Sequence, residues 1–383
     1  MSKSFIQKSF GQAMRNATRL VGTGKLLDAT RLIQRALSSD TPQVRRQVSP
    51  QGRGEAVPAA NDPQVEAPLP QVIILPPPAQ PGQNSDTDET NPAPRRSASF
   101  AQHQFKFEGD TYPYRVYVPS ATSASNTTRM PLVVLLHGCK QDALDFSNGT
   151  AMNVLAEQHQ VMVLYPEQIT SANAMRCWNW FEPGHQQVDH GEPGMIAALT
   201  QKIVQQYGAD PQRVYIAGLS AGGAMAAVMA GLHPEMFAAV GVHSGLAAGS
   251  ARDLMSAFGA MRSGAKGRSP SALPTIIFHG MADRTVHPDN SEHITDAALA
   301  GLSAAGLKLV KTQTAMTHNS DQKIERIVYS TADGKPYIEN WLIDDGAHAW
   351  SGGDAAGSFT DPEGPSASAA MLAFFLQHRL SHN

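Results

Sequence analysis

Short runs rich in apolar side chains alternate with segments of helical periodicity from about residue 100 to the end of the chain. The runs have the length and composition of buried strands and lie at residues 132–136, 161–165, 213–217, 237–243, 274–278, 324–330 and 337–343. An opening hairpin is predicted at residues 104–107 and 112–118, and helices at residues 195–206, 221–232, 289–301 and 367–378. Strands that alternate with helices predict an α/β fold, in which helices cover both faces of a mostly parallel sheet.

A different pattern occupies residues 1–40. Apolar side chains recur at helical spacing on both sides of Gly22 and Gly24, which predicts a helical hairpin over residues 3–37. This hairpin carries seven Lys and Arg residues and a single acid, Asp28. Two interpretations are open: the hairpin packs on its own domain, or its basic amphipathic surface docks on a polymer granule or another anionic surface.

Residues 41–99 form the next segment, which has few large apolar side chains. It holds 12 of the 26 prolines of the chain, together with many polar and charged residues. Such a segment cannot bury enough apolar surface to offset the entropy that is lost on ordering, so we expect a flexible linker. The folded α/β domain is then expected over residues 100–383.

Composition limits the class of function. The formal net charge of −3 and the pI of about 6.5 give no overall attraction to nucleic acid. Two cysteines exclude a disulfide-dense scaffold and a four-cysteine metal site. No apolar run approaches the roughly 20 residues of a membrane span, and polar residues interrupt any signal-peptide core near the N-terminus. We expect no nucleic-acid partner, no transmembrane segment, no cofactor or metal, and a cytoplasmic or granule-associated location.

The stretch VYIAGLSAGGAM at residues 214–225 carries the first candidate for chemistry. An apolar run leads into GLSAG, and an Ala- and Met-rich segment of helical character follows. A G-x-S-x-G sequence between a strand and a helix is typical of a sharp turn that exposes a serine hydroxyl beside the N-terminus of the helix. We therefore interpret Ser220 as a nucleophile that attacks a carbonyl carbon.

The loops after two later strands supply an acid and a base. Asp283 lies shortly after the run at 274–278, and His348 lies in a Gly- and Ala-rich loop after the run at 337–343. Reactive groups of α/β sheets gather at the carboxyl ends of strands, and the chain order Ser220, Asp283, His348 is that of the α/β-hydrolase triad. His348 would take the serine proton, and Asp283 would fix the tautomer of the histidine. Four neighbouring residues are alternatives for these roles or for structural ones: His279, His287, Asp344 and Asp345.

An oxyanion hole needs two backbone N–H groups that point at the developing negative charge. We assign one to Ala221, which follows the candidate nucleophile, and the other to Cys139, in the loop after the strand at residues 132–136. His137, directly before the glycine of the same loop, is expected to brace the loop; the alternative is a histidine that only packs in the core.

Three of the four tryptophans, Trp178, Trp180 and Trp350, lie in loops of the candidate site. Aromatic walls suit an apolar acyl chain and an aromatic acid equally well, so these residues are candidates for substrate binding. The alternative is that they pack in the core beneath the loops.

These motifs together resemble those of the polyhydroxybutyrate-depolymerase-type esterases, a family that also includes feruloyl and acetylxylan esterases. The matching motifs are LLHGCKQ (135–141), CWNWF (177–181), GLSAGGAM (218–225), HGMADRTV (279–286), GAHAWSGG (346–353) and GPSASAAMLAFF (364–375). The resemblance covers about residues 100–380. It implies that residues 100–383 form an α/β-hydrolase catalytic domain that cleaves carboxylic esters with Ser220, Asp283 and His348 as its triad. It also implies an extracellular location as the alternative to a cytoplasmic one.

The resemblance also bears on the two cysteines. Free buried thiols would suit a reducing cytoplasm. The resemblance instead favours a disulfide between Cys139 and Cys177, which would tie the oxyanion loop to the tryptophan loop.

Two other classes of function compete with ester hydrolysis. A peptidase of the same fold would usually need an additional domain or a charged specificity pocket, and neither is evident. A non-catalytic protein that binds a granule or surface would have no use for an activated serine. The sequence therefore favours a serine ester hydrolase that forms an acyl-enzyme. The family resemblance implies poly(3-hydroxybutyrate)-type polyester or its oligomers as the substrate. Small soluble esters of the feruloyl or acetylxylan type are the alternative substrates.

Overall fold

The computed structural model of the protein describes residues 97–120 and 129–380. The longer strands in these ranges are β1 (Ser99–Phe107), β2 (Asp110–Val118), β3 (Leu132–Leu136), β4 (Met162–Pro166), β5 (Val214–Leu219), β6 (Ala239–His243), β7 (Thr275–Gly280), β8 (Val310–His318), β9 (Gln322–Ser330) and β10 (Pro336–Ile343). They form one sheet in the order β1-β2-β4-β3-β5-β6-β7-β10-β9-β8. Two short strands, β11 (Trp350–Ser351) and β12 (Thr360–Asp361), pair separately.

The helices of the described ranges are α1 (Ala143–Thr150), α2 (Met152–His159), α3 (Gly191–Tyr207), α4 (Ala221–Leu232), α5 (Leu254–Ser263), α6 (Asp289–Ala304) and α7 (Ala367–Phe375). The neighbouring strands β4, β3, β5, β6, β7 and β10 pair in parallel. The outer strands β1 and β2 at one edge, and β9 and β8 at the other, pair antiparallel. The prediction of a mostly parallel sheet with helices is confirmed.

The sequence LVVLL of β3 shows why the central strands are apolar throughout. All five side chains are buried, because successive residues point to opposite faces and each face is covered. Leu132, Val134 and Leu136 join the cluster that packs under α3, α4 and α6. Val133 and Leu135 join the cluster under α1, α2 and α7. The core therefore lies on both faces of the sheet, and the loops at the carboxyl ends of the strands are left for chemistry.

Several elements were not predicted, and each lacks a clear apolar period. Strand β8 is an edge strand of sequence VKTQTAMTH in which most residues are exposed, so it has no buried face to produce alternation. Helices α1 and α2 are eight residues each and are separated by Ala151, whose φ of 50° lies in the left-handed region. Helix α5 begins at a capping box in which the Asp253 side chain accepts from the N–H of Ser256, a signal that depends on local hydrogen bonds rather than on periodicity.

The basic helical hairpin at residues 3–37 and the linker up to residue 96 lie outside the described residues. The domain boundaries at residues 40 and 100 therefore stay predictions, although β1 begins at Ser99. Among the described residues, no helix combines the length and the apolar character needed to cross a membrane.

Candidate active site

Ser220 lies at the sharp turn between β5 and α4. Its φ of 58° and ψ of −119° form a backbone conformation that L residues rarely adopt. Glycine is required on both sides of it. A Cβ on Gly218 would lie 2.4 Å from the carbonyl carbon of Gly222, and a Cβ on Gly222 would lie 2.2 Å from the carbonyl oxygen of Leu136. The chain therefore turns directly against the end of β3 and places Ser220 at the carboxyl end of β5.

The loops after β7 and β10 are held together by their backbones. The N–H of Met281 donates to the carbonyl of Ile343 at 2.8 Å, and the N–H of Ala282 donates to that of Gly346 at 2.9 Å. A Cβ on Gly280 would lie 2.2 Å from the carbonyl oxygen of Gly346, so the two loops touch where both residues lack side chains. This contact brings together the acid and the histidine that the loops carry.

Asp283 and His348 form a hydrogen-bonded pair. The Nδ1 of His348 lies 2.7 Å from Oδ2 of Asp283, while Oδ1 accepts the N–H groups of Thr285 and Val286 at 2.8 and 2.9 Å. Because a carboxylate only accepts, the neutral imidazole carries its proton on Nδ1, and Nε2 is left as the basic nitrogen. Burial raises the pKa of Asp283, but the hydrogen bonds from His348 and from the N–H of Val286 outweigh it and hold this pKa below its ordinary value.

The alternative residues occupy different environments. His279 is completely buried, its Nε2 donates to the carbonyl of Val286 at 2.9 Å, and this nitrogen is 3.6 Å from Oδ2 of Asp283. His287 is exposed, and its Nδ1 lies 3.4 Å from Oδ1 of Asp289. Of these histidines, His348 therefore makes the shortest contact with Asp283.

His243, at the end of β6, links the serine turn to the histidine loop. Its carbonyl accepts the N–H of Ser220 at 2.9 Å, and its Nε2 accepts the N–H of Ser351 at 2.9 Å. The ring stacks between Phe278 and Trp350, with centroid distances of 5.7 and 5.0 Å. Burial lowers the pKa of His243 to about 3, so the ring stays neutral and can accept. Sequence reasoning missed this residue because no motif marks it.

The two predicted oxyanion donors lie at the ends of the neighbouring strands β3 and β5. The close approach of Gly222 to the carbonyls of Leu136 and His137 places the loop of Cys139 against the first turn of α4, where Ala221 lies. The first N–H groups of a helix have no partner within the helix. Cys139 is joined to Cys177 by a disulfide, and their Cα atoms are 4.2 Å apart. This bond ties the loop after β3 to the tryptophan loop.

The three tryptophans that were predicted to line the substrate site are core residues instead. Trp178, Trp180 and Trp350 are 0, 3 and 1% exposed, and therefore offer almost no surface to a ligand. The indole N–H of Trp178 donates to the carbonyl of His137 at 3.1 Å, and that of Trp350 donates to Oγ of Ser368 at 3.0 Å. These residues support the loops from beneath, which is the alternative that the sequence left open.

A buried carboxylate, Glu192, was also missed. It lies in the first turn of α3, completely buried, and accepts the N–H and the Nδ2 of Asn179 at 2.7 Å each. In the sequence it is indistinguishable from an ordinary acidic residue that favours a helix N-terminus. Within the described ranges, no cluster of three or more His, Cys, Asp or Glu side chains is arranged to hold a metal ion.

Comparison with known proteins extends these observations. Residues 112–312 match the family described as esterase PHB depolymerase. The chain is 32% identical over 243 residues to poly(3-hydroxyalkanoate) depolymerase C of Paucimonas lemoignei. This match covers 59% of this chain and 56% of that protein. It is 34% identical over 134 residues to feruloyl esterase B of Neurospora crassa, which covers 34% of this chain and 43% of that protein. The chain thus spans about half the length of these curated relatives.

An acetyl xylan esterase from Aspergillus awamori has a similar solved structure. The TM-score is 0.54 at 20% sequence identity, and the match covers 72% of this chain and 99% of that chain. This likeness confirms the predicted α/β-hydrolase fold. Because the family match extends over more than half of the 383 residues, the chain belongs to the esterase PHB depolymerase family.

Proposed function

We propose that the protein is a serine carboxylic-ester hydrolase that works through an acyl-enzyme. The observation that carries this proposal is the hydrogen bond of 2.7 Å between His348 and Asp283. It is formed by loops at the same sheet edge as Ser220, whose strained backbone is the one expected of a nucleophile on a strand-to-helix turn. Membership of an esterase family supports the same reaction class.

In the proposed mechanism, the hydroxyl oxygen of Ser220 attacks the ester carbonyl, and Nε2 of His348 takes its proton. The carbonyl oxygen becomes negatively charged and is bound by the N–H groups of Cys139 and Ala221. His348 then gives its proton to the leaving alcohol, which leaves an acyl group on Ser220. A water molecule, deprotonated by the same nitrogen, attacks the acyl carbonyl carbon. His348 then returns the proton to the oxygen of Ser220 as the bond to the acyl group breaks and the acid is released. Asp283 holds the imidazole in orientation and stabilises its cation throughout.

The proposed substrate is a poly(3-hydroxybutyrate)-type polyester or its oligomers. The depolymerase of Paucimonas lemoignei matches 59% of this chain, a larger share than the 34% matched by the feruloyl esterase. Acetylxylan esterase A of Talaromyces purpureogenus matches 46% of the chain at 29% identity. Small soluble esters of the feruloyl or acetylxylan type are therefore the second candidate substrates.

The reaction class is tested with p-nitrophenyl butyrate and the variant Ser220→Ala. Hydrolysis should be lost in Ser220→Ala, whereas Ser263→Ala, on the exposed end of α5, should keep the wild-type rate. Equal thermal unfolding of both variants would show that the loss is chemical. Wild-type activity in Ser220→Ala would overturn the proposal.

The substrate is tested with a panel of three esters: a hydroxybutyrate oligomer, methyl ferulate and an acetylated xylan. The proposal expects the highest kcat/KM on the oligomer. A higher value on methyl ferulate or on acetylated xylan would leave the reaction class in place and assign the second group of substrates.

A further inference from the structure

His137 has a hydrogen-bond partner on each ring nitrogen, although its side chain is completely buried. The N–H of Gln168 donates to Nε2 at 3.0 Å, and Nδ1 lies 2.8 Å from the carbonyl oxygen of Gly138. A backbone N–H can only donate, so Nε2 must present a lone pair and the proton of the neutral ring must reside on Nδ1. The Nδ1–H of His137 therefore donates to the carbonyl of Gly138.

This carbonyl belongs to the same peptide unit as the N–H of Cys139. The unit is planar and trans, so its oxygen and its hydrogen point in opposite directions. A group that holds the oxygen of Gly138 thus also sets the direction of the Cys139 N–H. On the other side of Gly138, its own N–H donates to Oε1 of Gln141 at 2.9 Å. Both peptide units of Gly138 are therefore held in place.

We propose that His137 is a positioning residue of the reaction, whose Nδ1–H holds the peptide between Gly138 and Cys139 so that the Cys139 N–H points at the developing oxyanion. The inference rests on the proposed function, in which this N–H is one of the two oxyanion donors. His137 acts through the peptide and not through contact with the substrate.

The residues that surround His137 are held by hydrogen bonds of their own, and the surrounding fold therefore sets the tautomer of the ring. The Nε2 of Gln168 donates to the carbonyl of Cys177 at 3.0 Å and also to the buried carboxylate of Glu192. The indole N–H of Trp178 donates to the carbonyl of His137 at 3.1 Å, and the two rings pack with centroids 5.5 Å apart. Cys177 and Trp178 of CWNWF thus contact both the side chain of Gln168 and the backbone and ring of His137.

The ring is neutral under ordinary assay conditions. Burial lowers the pKa of His137 to about 4, and the hydrogen bond to Gly138 offsets this only in part. The charged groups that act on it are Asp142 and Asp145, which raise this pKa, and Arg176, which lowers it. A protonated ring would also place an Nε2–H against the N–H of Gln168, which is a contact between two donors.

Two substitutions separate the functions of the two ring nitrogens. In His137→Asn, the side-chain amide nitrogen can occupy the place of Nδ1 and donate to Gly138, but the acceptor for Gln168 is lost. In His137→Gln, the side-chain oxygen can occupy the place of Nε2 and accept from Gln168, but the side-chain donor to Gly138 is lost, and only the longer hydrogen bond of 3.3 Å from the N–H of Gln141 still holds this carbonyl. Each variant therefore removes one of the two hydrogen bonds of the His137 ring and can keep the other. His233→Asn and His233→Gln are the controls, because His233 is also buried but lies at the opposite end of α4 from Ser220.

The proposal predicts that His137→Gln lowers kcat on p-nitrophenyl butyrate by about 10²-fold, as expected for the loss of one oxyanion donor. KM should stay within about twofold, because the donor acts in the transition state and not on the bound ester. His137→Asn should keep a kcat about tenfold or more above that of His137→Gln. A purely structural role would instead make kcat fall in step with the melting temperature in both variants, and that result would overturn the proposal.

A spectroscopic measurement on the wild-type protein keeps the inference testable if both variants fail to fold. Long-range ¹H–¹⁵N correlation spectra of the histidine rings should show His137 as the Nδ1–H tautomer, unchanged from pH 8 to about pH 5. An Nε2–H tautomer, or a charged ring at pH 7, would refute the inference. If Ser220→Ala remained active, the proposed function would fail, while the tautomer would still be decided by these spectra.

Discussion

Among single residues, Asp283 accepts hydrogen bonds on both carboxylate oxygens. One oxygen accepts from backbone N–H groups and the other from His348. In Asp283→Asn, the amide nitrogen would face the Nδ1–H of His348, and the ring would adopt the other tautomer. We expect the rate of ester hydrolysis to fall by about 10⁴-fold, measured as kcat/KM on p-nitrophenyl butyrate. More than a tenth of the wild-type rate in this variant would show that Asp283 does not orient the base.

The lowered pKa of Asp283 also predicts how stability depends on pH. Its folded pKa lies below the unfolded value of about 3.9. The group therefore stabilises the fold above about pH 4, and this contribution is lost as the pH falls through the folded pKa. Urea unfolding of the wild type and of Asp283→Asn should show a stability difference that shrinks as the pH is lowered below about 4. A difference that stays constant over this range would contradict the assigned hydrogen bonds.

Residue types and loop positions were sufficient to predict the pairing of Asp283 with His348, whereas the disulfide between Cys139 and Cys177 was expected only from the family resemblance. The burial of Trp178 could not be predicted, because an indole beside a strand end has the same sequence whether it faces a ligand or the core. His243 was missed for a related reason. It acts by accepting hydrogen bonds from residues that lie far from it in the sequence, and no local pattern encodes such partners.

At the scale of elements, the serine turn depends on the space that glycine leaves between β3 and α4. Gly222→Ala would place a Cβ 2.2 Å from the carbonyl oxygen of Leu136. We expect a loss of about 1–3 kcal/mol in the free energy of unfolding, as in overpacked cores, together with a strong loss of activity because Ser220 shifts. Gly259→Ala is the matched control, since a Cβ there meets nothing within 4 Å inside α5.

The control should gain about 0.5–1 kcal/mol in the free energy of unfolding, because alanine favours a helix interior over glycine. Its activity should equal that of the wild type. Urea unfolding and soluble-ester kinetics measure both effects. Wild-type stability and rate in Gly222→Ala would mean that the turn does not need the close approach to β3.

Elements with a fully buried face were predicted at the right places, as with β3 and α4, because burial produces a regular apolar pattern. Strand β8 was missed because it lies at the sheet edge and its side chains are mostly exposed. Its place in the sheet comes from backbone pairing with β9. Backbone hydrogen bonds do not require particular side chains, so the sequence shows no pattern there. Patterns of apolar residues therefore predicted the long, regular elements of the core, and missed the exposed edge strand β8 as well as the short helices α1 and α2.

At the scale of the whole molecule, the basic segment at residues 3–37 is predicted to dock on a polymer granule or another anionic surface. Deletion of residues 1–98 ends just before β1 and should leave kcat/KM on p-nitrophenyl butyrate unchanged. Binding to poly(3-hydroxybutyrate) granules in a sedimentation assay should fall. Binding of the full-length chain should weaken as salt is raised, because salt screens the seven basic residues. If the truncated protein loses soluble-ester activity or unfolds at a clearly lower temperature, the segment instead stabilises the catalytic domain.

In the proposed reaction, Ser220 forms a covalent intermediate with the help of His348. It is tested most directly with a fluorophosphonate probe, which reacts with activated serines, followed by peptide mass spectrometry. We expect one label per chain on the peptide that carries Ser220, and no label in Ser220→Ala or His348→Ala. Ester hydrolysis that persists without a label on Ser220, or with the label on another residue, would contradict it.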